Sequence, residues 1–185
     1  MLKPLALLLC LLPAAGLAAS WELEPETSVA VEVPWQGRNV EVRFPTLSGE
    51  IDFDQDHPDR TRATISVATG DATTGVGVVD ALVRSGDYLD AGGYPSITFR
   101  LDRLTQTSKS TAEIDGRITL RGVTLPTSFQ AQVFRYGPAD GAPGRFEAGF
   151  NLTGSIDRTQ FGSTGGLPEV GAVLPVHIRL LMSSR

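Results

Sequence analysis

Apolar and polar residues alternate one by one in segment after segment of this chain. A period of two is satisfied by a strand that hides one face from water. Val29, Val31 and Val33 alternate with Glu32 and small neighbours, and Val40, Val42 and Phe44 with Glu41 and Arg43. Ile51 and Phe53 alternate with Glu50, Asp52 and Asp54, and Ala63, Ile65 and Val67 with Arg62, Thr64 and Ser66. The pattern resumes at Ile97, Phe99 and Leu101, at Ile114, Ile118 and Leu120, and at Phe129, Ala131 and Val133. Phe146, Phe150 and Leu152 follow, and Leu174, Val176, Ile178 and Leu180 close the chain around His177 and Arg179. Turn-forming clusters at Pro34–Gly37, Asp54–Asp59, Gly137–Gly144 and Gly162–Gly171 separate these runs. Short strands at this spacing predict an all-β sandwich or barrel. A parallel α/β sheet would need helix-period segments between the strands, and none is present. One stretch breaks the rule: Asp80 to Tyr94 carries Leu82, Tyr88 and Leu89 without alternation. It reads as a short helical segment near residues 80–92, broken at Gly86, stopped by Gly92-Gly93 and placed to close one barrel end.

The first residues read as a secretory leader over 1–20. Lys3 is followed by an apolar run from Leu5 to Leu12, then Pro13, Gly16 and the small residues Ala18, Ala19 and Ser20, which suit cleavage near 18–20. That run is too short to cross a bilayer about 30 Å thick. Residues 21–185 then form one domain, expected in the periplasm or outside the cell, with no transmembrane segment in the mature chain. Cys10 lies in the leader, so the mature chain uses neither disulfides nor thiolate ligands. Without Lys3, 15 basic residues face 21 acidic ones, a net charge of −6. An acidic surface argues against nucleic acid, which is bound by neutralising phosphates. It argues equally against a basic patch for anionic lipid heads.

Catalytic signatures are scarce. The two histidines are isolated: His57 in an Asp/Pro-rich turn, His177 at a polar position of the last strand. A metal site needs three or four convergent ligands, so no metal is expected. No nucleophile elbow occurs, and Ser163 in Gly-Ser-Thr-Gly-Gly reads as a flexible turn rather than a phosphate loop. The carboxylates fall at turn tips and outward strand positions, where charge is ordinarily a solvated face. No enzymatic role and no cofactor are expected. What the chain invests in is apolar strand faces. Alternation alone leaves a packed barrel and a hollow one equally open, because eight strands can be filled by side chains or hold one small ligand. Short strands, few aromatics and interrupting prolines argue against an outer-membrane barrel.

Particular residues then carry a resemblance. Trp21 with Thr27-Ser28-Val29 opens it, followed by Leu47-Ser-Gly-Glu-Ile-Asp-Phe53. Thr74-Gly75, Asp80, Arg84-Ser85-x-Asp87-Tyr88 and Tyr94-Pro-Ser-Ile-Thr-Phe99 come next. Gly116 to Pro126 and Ile156-Asp-Arg-Thr-Gln-Phe-Gly162 complete the order. Together these blocks resemble the YceI-like family of exported isoprenoid-binding proteins over residues 21–182. The chain departs from the family pattern at Val33-Pro34, Val79 and Leu174-Pro175-Val176. The resemblance implies an extended eight-stranded, lipocalin-like antiparallel barrel holding a long isoprenoid lipid, such as a polyprenyl phosphate or a quinone tail. On that reading the lining comes from Val31, Val33, Val42, Phe44, Phe53, Ile65 and Val67, from Leu82, Tyr88 and Leu89, and from Ile97, Phe99 and Ile118. Phe129, Val133, Phe150, Leu152, Ile156, Phe161, Val176 and Ile178 complete it. Arg84 and Arg158 are the head-group candidates, with pairing to Asp80 or Asp157 as their structural alternative. A packed-barrel envelope stress or interaction protein without cargo is the competing reading, and a homodimer is left open.

Overall fold

The computed structural model describes residues 19–54 and 56–184. Its strands are β1 (Ala19–Leu23), β2 (Ser28–Trp35), β3 (Arg38–Phe44), β4 (Leu47–Phe53), β5 (Arg62–Ala68), β6 (Ser96–Gln106), β7 (Thr111–Leu120), β8 (Val123–Pro138), β9 (Phe146–Asp157) and β10 (Val173–Ser184). One α-helix, α1 (Gly77–Arg84), lies between β5 and β6. The paired strands are antiparallel, and both β1 and β2 lie along β10, with Trp21 opposite Ser184 and Val31 opposite Val176. In the same way β4 lies along β1 and β3 along β2. Thus β1 and β2 are two halves of one wall strand, and β3 and β4 halves of the next. Counted so, eight antiparallel strands close into an up-and-down barrel, the resolution of edge strands by full closure.

The breaks have local causes. Pro45 fixes its own φ and offers no N–H, which interrupts the ladder between β3 and β4. At the break between β1 and β2, the Thr27 hydroxyl donates to Leu181 O at 2.7 Å and accepts from Leu181 N at 3.1 Å. The side chain thereby satisfies the groups that the missing backbone pair would have used. Two bulges, at Leu101/Arg103 in β6 and Val133/Arg135 in β8, shift the alternation by one residue. Phe134 lies on the outer wall, as alternation from Val133 requires, stacked under Arg179 with the guanidinium carbon 3.9 Å from the ring centre.

A meander puts its connections at two ends. The β2–β3 turn, the helix-bearing segment 69–95, the β7–β8 turn and the segment 158–172 cover one end; the loop residues 56–61, 107–110 and 139–145 surround the other. At the covered end Val33, Val42 and Ala72 fill the space beneath α1, packed with its Val83. The helix is shorter and earlier than the pattern predicted, and Ser85–Gly93 continue as turns. Its Asp80 is not a solvated charge: it is buried and accepts from Thr74 N, Thr74 Oγ1 and Thr73 Oγ1. Thr73 in turn pairs with Arg43 of β3, so the carboxylate ties helix to wall.

These hydrogen bonds hold the Asp80 carboxyl below its ordinary value of 3.8, as those from Thr159 do for Asp157. A pKa lower in the folded state than in the unfolded one stabilises the fold above the ordinary value, and that stabilisation is lost as pH falls below it. The melting temperature is therefore expected to drop below pH about 4. Asp80→Asn lowers stability at neutral pH, and its deficit narrows as acid protonates the wild-type carboxylate. Parallel melting curves for the two proteins from pH 7 to 2.5 would refute this.

The wall also forks. β8 pairs with β7 from Val123 onward, but with β9 only from Gln130, opposite Thr153. Beyond that point Leu125–Ser128 and Ser155–Asp157 part around a small pocket of about 210 Å³, reached by Gln160 and Phe161.

Candidate functional site

The barrel is hollow. A cavity of about 530 Å³ runs from Leu89, Leu120 and Leu174 at the covered end to Pro58, Gln106, Ser108–Thr111 and Tyr136 at the other. This lies within the range of pockets that enclose drug-sized ligands. The hollowness has an origin in the inner face itself. Gly116 stands where alternation between Ile114 and Ile118 calls for an apolar side chain, and a Cβ there would lie 2.4 Å from an atom of the Phe99 ring. At Gly154 it would lie 2.6 Å from the Phe129 ring. Each ring therefore lies back against the wall over a glycine instead of projecting into the lumen, and the two meet edge to face at 5.8 Å. Toward the other end Phe53 meets Trp21 and Phe150 in the same manner, each at 5.7 Å.

The middle of the lining is apolar apart from Thr27, whose hydroxyl is spent on Leu181. Among the described lining residues only Lys109 and Arg158 are charged, and they belong to opposite ends. Polar side chains gather at the uncovered rim: Thr61, Gln106, Ser108, Ser110 and Thr111. The β8 bulge turns Tyr136 toward this rim, beside Phe146 with ring centres 6.2 Å apart. Burial and the nearby Asp56 push the Tyr136 phenol up, so it stays a neutral donor there. Among the described residues no group of His, Cys, Asp and Glu could hold a metal ion. His57 contacts Asp54 at 3.2 Å and His177 contacts Glu32 at 3.4 Å, both on the outside. No helix of the described residues is long and apolar enough to cross a membrane.

Of the sequence candidates, Val31, Phe44, Phe53, Ile65, Val67, Leu89, Ile97, Phe99 and Ile118 line the cavity. So do Phe129, Val133, Phe150, Leu152, Ile156, Val176 and Ile178. Five candidates lie elsewhere. Leu82 faces outward from α1, half exposed. Val33 and Val42 pack under the helix as the plug of the covered end. Tyr88 sits in that cover against Gly165, Gly166 and the Arg158 guanidinium. Phe161 is buried in the side wall with Ile118 and Leu120.

The head-group candidates are already engaged. Arg84 Nε donates to Ala72 O at 2.9 Å. Arg158 is 4% exposed and spends its donors on Gly171 O, Ser163 O, Gly165 O and Val170 O at 2.8–2.9 Å, with Ser163 Oγ at 3.5 Å. Ser163, which read as part of a flexible turn, is thus pinned and buried. Sequence reasoning missed the small wall residues Ala63, Ala112 and Ala131, which share the inward register, and the rim residues beyond the bulges. The alternation marks the alanines; nothing in it marks the rim.

Comparison with known proteins adds the following. The model of the YceI-like domain matches residues 21–182. A UPF0312 protein of Pseudomonas paraeruginosa is 30% identical over 120 residues, 65% of this chain, and the match spans 61% of that relative. The crystal structure of Burkholderia cenocepacia BcnA aligns with a TM-score of 0.77 at 17% identity, covering 86% of this chain and 99% of that one. A polyisoprenoid binding domain from Saccharophagus degradans, described as implicated in plant cell wall breakdown, aligns with a TM-score of 0.67 at 17% identity over 91% and 99% of the two chains.

Proposed function

Because the chain belongs to the YceI-like family, we propose that its barrel carries one long isoprenoid-type lipid, tail in the lumen, for storage or transport in the periplasm or outside the cell. The observation that carries this reading is the continuous apolar cavity of about 530 Å³, with charge only at its two ends. A filled barrel acting purely as a scaffold or interaction module has no use for such a lumen. The Saccharophagus degradans domain of the same fold, described as binding polyisoprenoids, supports the choice of guest.

The energetics suffice. Burying a methylene contributes about 0.8 kcal/mol. A guest that hides about 15 carbons gains about 12 kcal/mol before the losses of translational and chain freedom. Affinity then grows with the length of tail the lumen accepts, and the head group acts as a modest addition. Native mass spectrometry with lipid extraction of protein purified from a bacterial envelope is expected to show one isoprenoid per chain. Lipid-free protein that also ignores added polyprenyl probes would overturn the proposal.

A further inference from the structure

Thr61 is buried, with 7% of its surface exposed, and it lines the cavity. Its Oγ1 is the buried side-chain polar atom that lacks a hydrogen-bond partner among the described residues. A hydroxyl removed from water without a partner is destabilising, and native folds rarely keep one without a use. We infer that Thr61 anchors the polar end of the bound lipid, and that this end is an uncharged hydrogen-bond acceptor, such as a ring or ester carbonyl. The inference rests on the lipid-binding reading above.

Three observations support it. The backbone at Thr61 is fixed: its N–H donates to Pro58 O at 3.1 Å, and Arg62 Nη1 donates to the carbonyls of Arg60 and Thr61 at 3.0 Å each. Only the side chain is left to respond, and a rotation between staggered χ1 wells exchanges hydroxyl and methyl at the cavity wall. Next, the place is right. The turn Pro58–Arg60 packs against β6, and Thr61 follows it at the uncovered end, where the lining changes from apolar to polar. An amphiphile whose tail fills the lumen leaves its polar end at that transition.

The lining of the rim then selects the class. Among the described residues it offers neutral polar groups on Thr61, Gln106, Ser108, Ser110 and Tyr136, and one cation, Lys109. The loop carboxylates lie outside the lining, and Asp140 is paired with Arg135 at 3.2 Å. A phosphate or diphosphate is held by several opposite charges or by an Arg fork, and no described arginine lines this end. A neutral oxygen needs no such partner and takes the Thr61 hydroxyl as donor.

The test compares three probes on delipidated protein: a polyprenyl benzoquinone, an all-hydrocarbon polyene such as squalene, and a polyprenyl phosphate. Thr61→Val keeps the shape and removes the hydroxyl, and Thr61→Ser keeps the hydroxyl. The quinone is expected to bind Thr61→Val about tenfold more weakly than wild type. Squalene is expected to bind both alike, and Thr61→Ser to retain quinone affinity. Equal loss for quinone and squalene, or no loss for either, overturns the anchor. A phosphate that binds wild type more tightly than the quinone overturns the uncharged class. Wild-type protein that binds none of the probes fails the lipid reading itself, which is a distinct result.

Discussion

Replacing Arg158 by methionine is expected to remove about 4 kcal/mol of folding stability and about 10 °C of melting temperature, measured by denaturant and thermal unfolding of the ligand-free protein. The side chain is deeply buried in the cover, and every donor of its fork meets an oxygen of the segment Ser163–Gly171. Methionine fills similar volume but leaves four carbonyls without the donor they now share. Hydrogen bonds from a charged group contribute about 1.5–3 kcal/mol each, with incomplete additivity. Arg158→Lys recovers little, since one ammonium cannot reproduce a planar fork to four acceptors. A loss below 1 kcal/mol for Arg158→Met would mean that the segment is held by other contacts, and would return the guanidinium to candidacy for a ligand.

The second large effect concerns binding. Ala131 lines the cavity, flanked by Ala112 on β7 and Leu152 on β9. Ala131→Phe puts a ring into the lumen at a point where the wall is thin. Displacing about four methylenes of guest costs about 3 kcal/mol, a loss of affinity of about 200-fold. Stability is expected to change little, because the ring enters empty space. In a packed barrel the same substitution would overpack the core and cost about 1–3 kcal/mol. Titration with a fluorescent polyprenyl probe and unfolding of the same samples separate these outcomes. Unchanged binding, or strong destabilisation, would remove the lumen as the lipid site.

The barrel was legible because period two is a property of sequence alone. Each alternating run from Val29 to Leu180 lies in a wall strand. β1 escaped since only Trp21 and Leu23 around Glu22 offer the pattern, at the border of a leader-like segment. The hollow interior was not legible from apolar positions, which report a face and not a volume. Its trace lies in the exceptions: Gly49, Gly116 and Gly154 each interrupt an inward series, and in each case a large neighbour folds over the gap. Nor could the role of Arg158 be read, because its partners are main-chain carbonyls, which leave no mark in residue identity. The bulges hid Tyr136 for a related reason: one inserted residue reverses which face a side chain takes.

The fork between β8 and β9 bears on how these barrels meet one another. Among the described residues Leu125–Ser128 have β7 on one side and no strand on the other. Such an open ladder is a template on which a foreign strand can add, the usual beginning of sheet aggregation. Here it includes Pro126, which has no N–H to offer, and it faces Asp157, whose charge a second copy would bring against its own. A closed barrel that must part its wall at one place thus carries, at that place, a guard against copolymerising with itself.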